Sequence, residues 1–361
     1  MQTISDRQFV FILIVFITST ADLLLPSITT QLAGRDAWLS VIVAAAAGSL
    51  IVLVQAKLAQ QFPGQSLPDY AKTLLGPTAG SLLILLYLFF LTYITAAIIG
   101  ELLQISNAVF FRRTPEVMIS LMLCLTAGYA VFLGIEVVAR VVEFSFVVGI
   151  LVRLLIIVLV MGDMDLARFL PVLEQGPGPV LQGSLRVLGW FGEGVILLFL
   201  SHHLQNPAQF GKLMLTAVWF IAFLLILGTA SIAIFGTHQA AVITFPLFEI
   251  IRFPEVGFIR GIDALIMTVW YAATFIKITV LLYIIMEILK KLTKSKEGSP
   301  FMLPMLLVLT VLPVVLFSEI SSTIDFLTNT WPGFAVTFEL LFPAALLLLT
   351  LFRKQGKKGR A

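Results

Sequence analysis

Apolar runs of about twenty residues, long enough to cross a bilayer as a helix, recur along the whole chain. Ten segments qualify, at residues 8–31, 37–60, 78–106, 115–134, 138–161, 184–206, 212–236, 261–289, 300–318 and 332–352. Short stretches rich in Pro, Gly and charge separate them. The pattern predicts an all-α polytopic membrane protein, with residues 1–361 forming a single transmembrane domain of ten helices.

Two spans interrupt their own pattern. The sixth carries GWFGEG, in which Gly189, Gly192 and Gly194 weaken a helix around Trp190, Phe191 and an ionisable Glu193. A carboxylate at membrane depth needs a partner, a proton or water, and irregular backbone is tolerated there only against protein or a cavity. The first span sets Thr18, Ser19, Thr20 and Asp22 ahead of Pro26, a combination of back-bonding hydroxyls and a missing backbone donor that predicts a second local break. Phe-Pro dipeptides follow the second and seventh spans, at Phe62-Pro63 and Phe245-Pro246, on opposite membrane sides. Together these predict two inverted five-helix repeats, residues 8–161 and 184–352, with broken helices 1 and 6.

Composition supports the membrane reading. Apolar residues make up 59% and charged residues 12% of the chain, where a soluble domain carries about 25% charge. A net charge of +3 with basic residues gathered at span ends points to the lipid bilayer as partner and excludes nucleic acid. Cys124 is the single cysteine, so no intrachain disulfide forms, and His202, His203 and His238 lack metal-ligand spacing. No metal or other cofactor is indicated. Arg7, Lys57, Lys72, Lys212, Lys290, Lys291, Lys294, Lys296 and the basic tail 353–361 fall on the side of the termini, predicting both ends cytoplasmic. Arg112 and Arg113 run against that rule.

The remaining candidate chemistry is intramembrane charge. Glu101, Arg153, Lys277 and Glu339 all lie inside spans, and Arg153, which stays charged in a protein, must find an anion, carbonyls or water. The Pro/Gly-rich loop MDLARFLPVLEQGPGPVLQG reads either as an outer gate or as a plain connector. No H-E-x-x-H, G-x-S-x-G or phosphate-binding loop is present, so the residues do not read as an enzyme.

The segments ISDRQFVFILIVF, DAWLS, FPGQSLPDYAKTLLG, GIEVVARVVEF, LPVLEQGPGPVLQG and FPLFEIIRFPEVGFIRGIDALIMTVW, in this order, resemble the B subunits of bacterial endospore germinant receptors. These belong to the amino acid–polyamine–organocation superfamily. The resemblance implies a LeuT-like fold, a small-molecule germinant such as an amino acid, A and C receptor subunits as partners, and a place in the spore inner membrane. It also implies that spans 1 and 6 face each other, flanked by spans 3 and 8. The ligand is then expected at Thr18, Ser19, Thr20, Asp22, Gly189, Trp190, Phe191, Gly192, Glu193 and Gly194, with half-helix ends offering N–H groups to a carboxylate. Lys277 is the candidate for a fixed positive charge in place of a coupling ion, and Arg153 competes for that role. Where the family's first span often has glycines at the break, this chain has Thr18, Ser19 and Thr20. Sequence features alone fit both a sensor and an amino acid permease, proton-coupled through Glu193 or Lys277. The resemblance favours the sensor.

Overall fold

The computed structural model describes residues 3–109, 111–243, 245–252, 262–295 and 299–358. Among them the chain is helical almost throughout. Helix α1 (Asp6–Ala33) turns through Gly34–Asp36 into α2 (Ala37–Gln60), followed by the short α3 (Leu67–Leu75) and the long α4 (Pro77–Val109). Next come α5 (Glu116–Leu133), α6 (Ile135–Val160), α7 (Gly178–Gly192) and α8 (Ile196–Leu200). The second half holds α9 (Phe210–Gly228), the short α10 (Ala230–Phe235), α11 (Thr237–Val242) and α12 (Pro246–Arg252), and then α13 (Ile262–Thr293). It ends in α14 (Ser299–Leu316), α15 (Ile320–Asp325), α16 (Trp331–Ala335) and α17 (Phe342–Lys358), the last three joined by π-helical turns.

Among the described residues, eight segments are long and apolar enough to span a membrane. One of them, Asp6–Gln60, contains both α1 and α2, and the apolar Pro300–Leu316 falls just short of the length required. Each predicted span therefore has a helical counterpart, although length and composition alone count eight.

Helix α1 is the axis of the molecule. Every residue from 12 to 27 is buried, the polar Thr18, Ser19, Thr20, Asp22 and Ser27 included, so the helix is enclosed on all sides. It packs against α7, α9, α6 and α13, while α4, α5, α13 and α14 pack into a second group. The segment Gly178–His203 is the most enclosed, with 83% of its apolar window buried against 22% for Ile135–Asp163, so span 6 is central and span 5 largely faces lipid. A capping box between Ser5 and Gln8 starts α1. The residue before it is clipped to the end of span 6, Ile4 N donating to the His203 carbonyl at 2.8 Å and Gln205 N to that of Ile4 at 3.3 Å.

The predicted breaks take a milder form than the sequence implies. Helix α1 is continuous from Asp6 to Ala33. Thr18 Oγ1 and Ser19 Oγ donate to the carbonyls of Ile14 and Phe16, both at 2.8 Å, so the hydroxyls are satisfied without unwinding. Pro26 withholds only the one N–H that would reach Asp22. In span 6, α7 tightens into a 3-10 turn over Glu193–Val195 and resumes as α8, with Gly192 and Glu193 still in right-handed helical geometry. The half-helix cradle expected for a carboxylate is therefore absent from α1, and side chains carry the chemistry.

Helix α3 sits at the end of the bundle that holds the N-terminus, where Gln65 accepts from Ser201 Oγ. Helix α11 sits at the other end, its Ala241 carbonyl accepting from Gln31 Nε2. The predicted segment 253–261 and the charges at Arg260, Lys296 and Arg360 lie outside the described residues, as do the side chains of Arg353, Lys354, Lys357 and Lys358.

Candidate ligand-binding site

Lys277 lies at mid-length of α13 with 1% of its surface exposed. A lysine ammonium has three donors, and all are used here: two reach Glu193 Oε1 and Oε2 at 2.9 Å and the third reaches Thr20 Oγ1 at 2.9 Å. The ammonium also sits 4.6 Å from the centroid of the Phe16 ring. Spans 1, 6 and 8 thus meet at a buried, bidentate ion pair, which is tolerable in an apolar interior because its geometry and hydrogen bonds offset part of the desolvation cost.

A third charged residue faces this pair. Glu101 on α4 is buried, and its Oε1 has no hydrogen-bond partner. Glu101, Glu193, Lys277, Thr20, Trp190 and Trp331 share the wall of a cavity of about 30 Å³, room for one or two waters. The cavity offers one cation and two carboxyl groups, so one acid is left in want of a proton or a positively charged partner.

The glycines of GWFGEG serve close packing. A methyl group on Gly192 would lie 2.0 Å from Glu339 Oε2, and one on Gly189 would lie 2.7 Å from Trp331 Nε1. Span 10 therefore presses its polar side chains directly onto the α7 backbone, the use to which membrane helices put small residues. Gln55 on α2 fixes the same place, its Nε2 donating to the carbonyls of Gly192 at 2.9 Å and Glu339 at 2.8 Å. Gly194 lies against Gln55 and Met214 in the same way. The two aromatic residues separate: Trp190 lines the cavity and meets Trp331 edge-on at 5.9 Å, while Phe191 is fully buried against Gly48 of α2.

The polar residues of span 1 also separate. Two positions along a helix turn the side chain by about 200°, so Thr20 and Asp22 point to opposite sides of α1. Thr18, Ser19 and Asp22 line a second cavity, about 70 Å³, on the side of α6, where Asp22 is ion-paired with Arg153. Trp270 Nε1 closes that side by donating to the Ser19 carbonyl at 2.7 Å. Eight of the twelve sequence candidates therefore line two cavities on opposite faces of α1, Gly189, Phe191, Gly192 and Gly194 serve packing instead, and Arg153 does not reach Glu193. Glu101, an intramembrane acid not assigned to the ligand site from sequence, lines the first, and Gln55 braces the backbone beside it. Each is a polar residue inside an apolar run, which is the signal that could have placed them.

Residues 3–323 match the family described as spore germination protein. The chain is 26% identical over 362 residues to spore germination protein KB of Bacillus subtilis (strain 168), covering 98% of this chain and 96% of that protein. It is 22% identical to spore germination protein YndE of the same organism, covering 98% of each. Among solved structures it is similar to Mhp1, a nucleobase-cation-symport-1 family transporter in a closed conformation with bromovinylhydantoin bound, at a TM-score of 0.63 and 14% identity over 93% of this chain and 75% of that one. A Na+-coupled sialic acid symporter in a substrate-bound outward-open state aligns with a TM-score of 0.59 and 16% identity, over 95% of this chain and 78% of that one. The structural likeness shows a LeuT-like transporter fold. By the match over most of its length, the chain belongs to the spore germination protein family.

Proposed function

We propose that this chain is the membrane subunit of a germinant receptor and binds a free amino acid in the cavity between α1, α4, α7, α13 and span 10. The observation that carries the reading is the unpartnered Glu101 carboxyl facing a buried Glu193–Lys277 pair in one enclosed space. An ammonium group would complete Glu101, and a carboxylate would compete with Glu193 for Lys277. At about 30 Å³ the cavity is too small for both, so the ligand selects a more open state. That difference in affinity between two states is what a sensor passes to its A and C partner subunits. The receptor lies in the spore inner membrane with both termini cytoplasmic. The two inverted repeats, residues 8–161 and 184–352, supply the hinge between the states.

Equilibrium binding of labelled amino acids to the purified chain tests the site. Glu101→Gln and Glu193→Gln are each expected to weaken binding at least about tenfold, or ~1.4 kcal/mol. Unchanged affinity in both variants would remove the cavity from consideration. Uptake into proteoliposomes without partner subunits tests the sensor role, and robust gradient-coupled turnover there would make the protein a carrier.

A further inference from the structure

A third cavity, about 170 Å³, opens between the second half of α1, the first half of α7, the end of α11 and the start of span 10. It lies toward the end of the bundle opposite the N-terminus and is larger than either core cavity. Leu327 belongs to its wall and to the wall of the Glu101 cavity, so the two spaces share a lining residue.

Its charged lining residue is Arg186. Three arginines among the described residues are half-buried: Arg35, Arg153 and Arg186. Arg35 has Glu174 and Arg153 has Asp22, whereas Arg186 has no carboxylate and donates through Nη1 to the Thr328 carbonyl. A guanidinium carries five N–H donors in a planar fork, so beyond the bond to Thr328 most of its donors have no partner among the described residues and are left for a ligand. Ser27 and Gln31 on the same wall are spent on the Ala241 carbonyl, at 3.5 and 2.8 Å, and hold α11 across the rim. The rest of the wall is aliphatic, including Leu24, Ile28 and Ile324.

We infer that this cavity is a docking site for a small aliphatic monocarboxylate, its two oxygens on the Arg186 fork and its hydrocarbon end on the leucine and isoleucine wall. Planar bidentate recognition is what arginine provides and lysine does not. One guanidinium balances one carboxylate, whereas a phosphate would leave charge uncompensated in a largely apolar pocket. That such a ligand is a germinant on its way to the core rests on the function proposed above. The carboxylate site itself does not, since it needs neither Glu101 nor Glu193.

The test uses isovalerate, which has a carboxylate and a branched chain but no ammonium, and its isosteric amide, isovaleramide, on the purified full-length protein. Isovalerate is expected to bind at least about tenfold more tightly than the amide. Arg186→Gln abolishes that preference, Arg186→Lys lowers it, and Glu101→Gln leaves it unchanged. Equal binding of acid and amide to the wild type, or full retention by Arg186→Gln, would overturn the assignment. Displacement of isovalerate by an equal concentration of inorganic phosphate would also overturn it, by showing a general anion site. Should Arg186→Gln fail to accumulate, the acid-to-amide ratio in wild type and Arg186→Lys decides. Loss of amino acid binding in Glu101→Gln with intact isovalerate binding separates the core site from this one.

Discussion

Lys277 and Glu193 are each tolerable in the core because of the other. Removing one leaves a buried charge without compensation, which costs ~3–5 kcal/mol, whereas replacing both with apolar residues of similar volume is often neutral. Lys277→Met is therefore expected to lower the thermal midpoint of the purified protein strongly, and Lys277→Met combined with Glu193→Leu to restore most of it. A double variant as unstable as the single would show that the pair is not an isolated unit. Gly192 makes a second point at this scale. The 2.0 Å approach to Glu339 Oε2 leaves no room for a methyl group, so Gly192→Ala should destabilise by ~1–3 kcal/mol. Glu339→Ala in the same chain should recover part of that loss, as followed by thermal unfolding. How much of this was legible differs by residue. Glu193 and Lys277 stood out because an ion inside an apolar run has few innocent explanations. That they pair with each other, and Asp22 with Arg153, depends on how the helices are rotated in the bundle, which one sequence does not fix. The opposite facing of Thr20 and Asp22, by contrast, follows from helix geometry and was available from the sequence.

At the scale of elements, the spans were readable because lipid demands some twenty apolar residues and forbids exposed backbone. The interruption of span 6 was readable at GWFGEG, but the continuity of α1 was not, because a hydroxyl or a proline in a helix can be absorbed locally, as the bonds from Thr18, Ser19 and Thr30 back to their own helix demonstrate. Helix α3 shows what holds a short connector in place. Lys291 from the end of α13 reaches Asp69 Oδ2 and Ser66 Oγ, each at 2.5 Å. Burial raises the Asp69 carboxyl, but the bonds from Lys291 and Ser66 outweigh it and hold the group below the ordinary value of 3.8. A depressed carboxyl contributes stability above its unfolded value and loses it as pH falls through the folded one. The tie between α3 and α13 should therefore persist through the neutral and mildly acidic range and release only below about pH 3.8. Hydrogen exchange of the α3 amides against pH, with Asp69→Asn as the released reference, reads this directly; release near neutral pH would contradict it.

For the whole molecule, α1 separates two charged sites, and each places a cation against it: Lys277, facing two acids, on one side and Arg153, paired with Asp22, on the other. We propose that these positive charges take the place of a mobile coupling ion, so replacing sodium with choline should change amino acid affinity by less than about twofold. A strict sodium requirement would contradict this. In the function proposed above, the sensor's two states are one with Glu193 on Lys277, as in this structure, and one with the ligand carboxylate there. The most direct test is the dose dependence of germination in spores carrying Glu101→Gln or Glu193→Gln at normal receptor abundance. The half-maximal germinant concentration is predicted to rise by about tenfold or more in each; a wild-type dose curve in both would contradict the claim that this cavity is where the germinant is read.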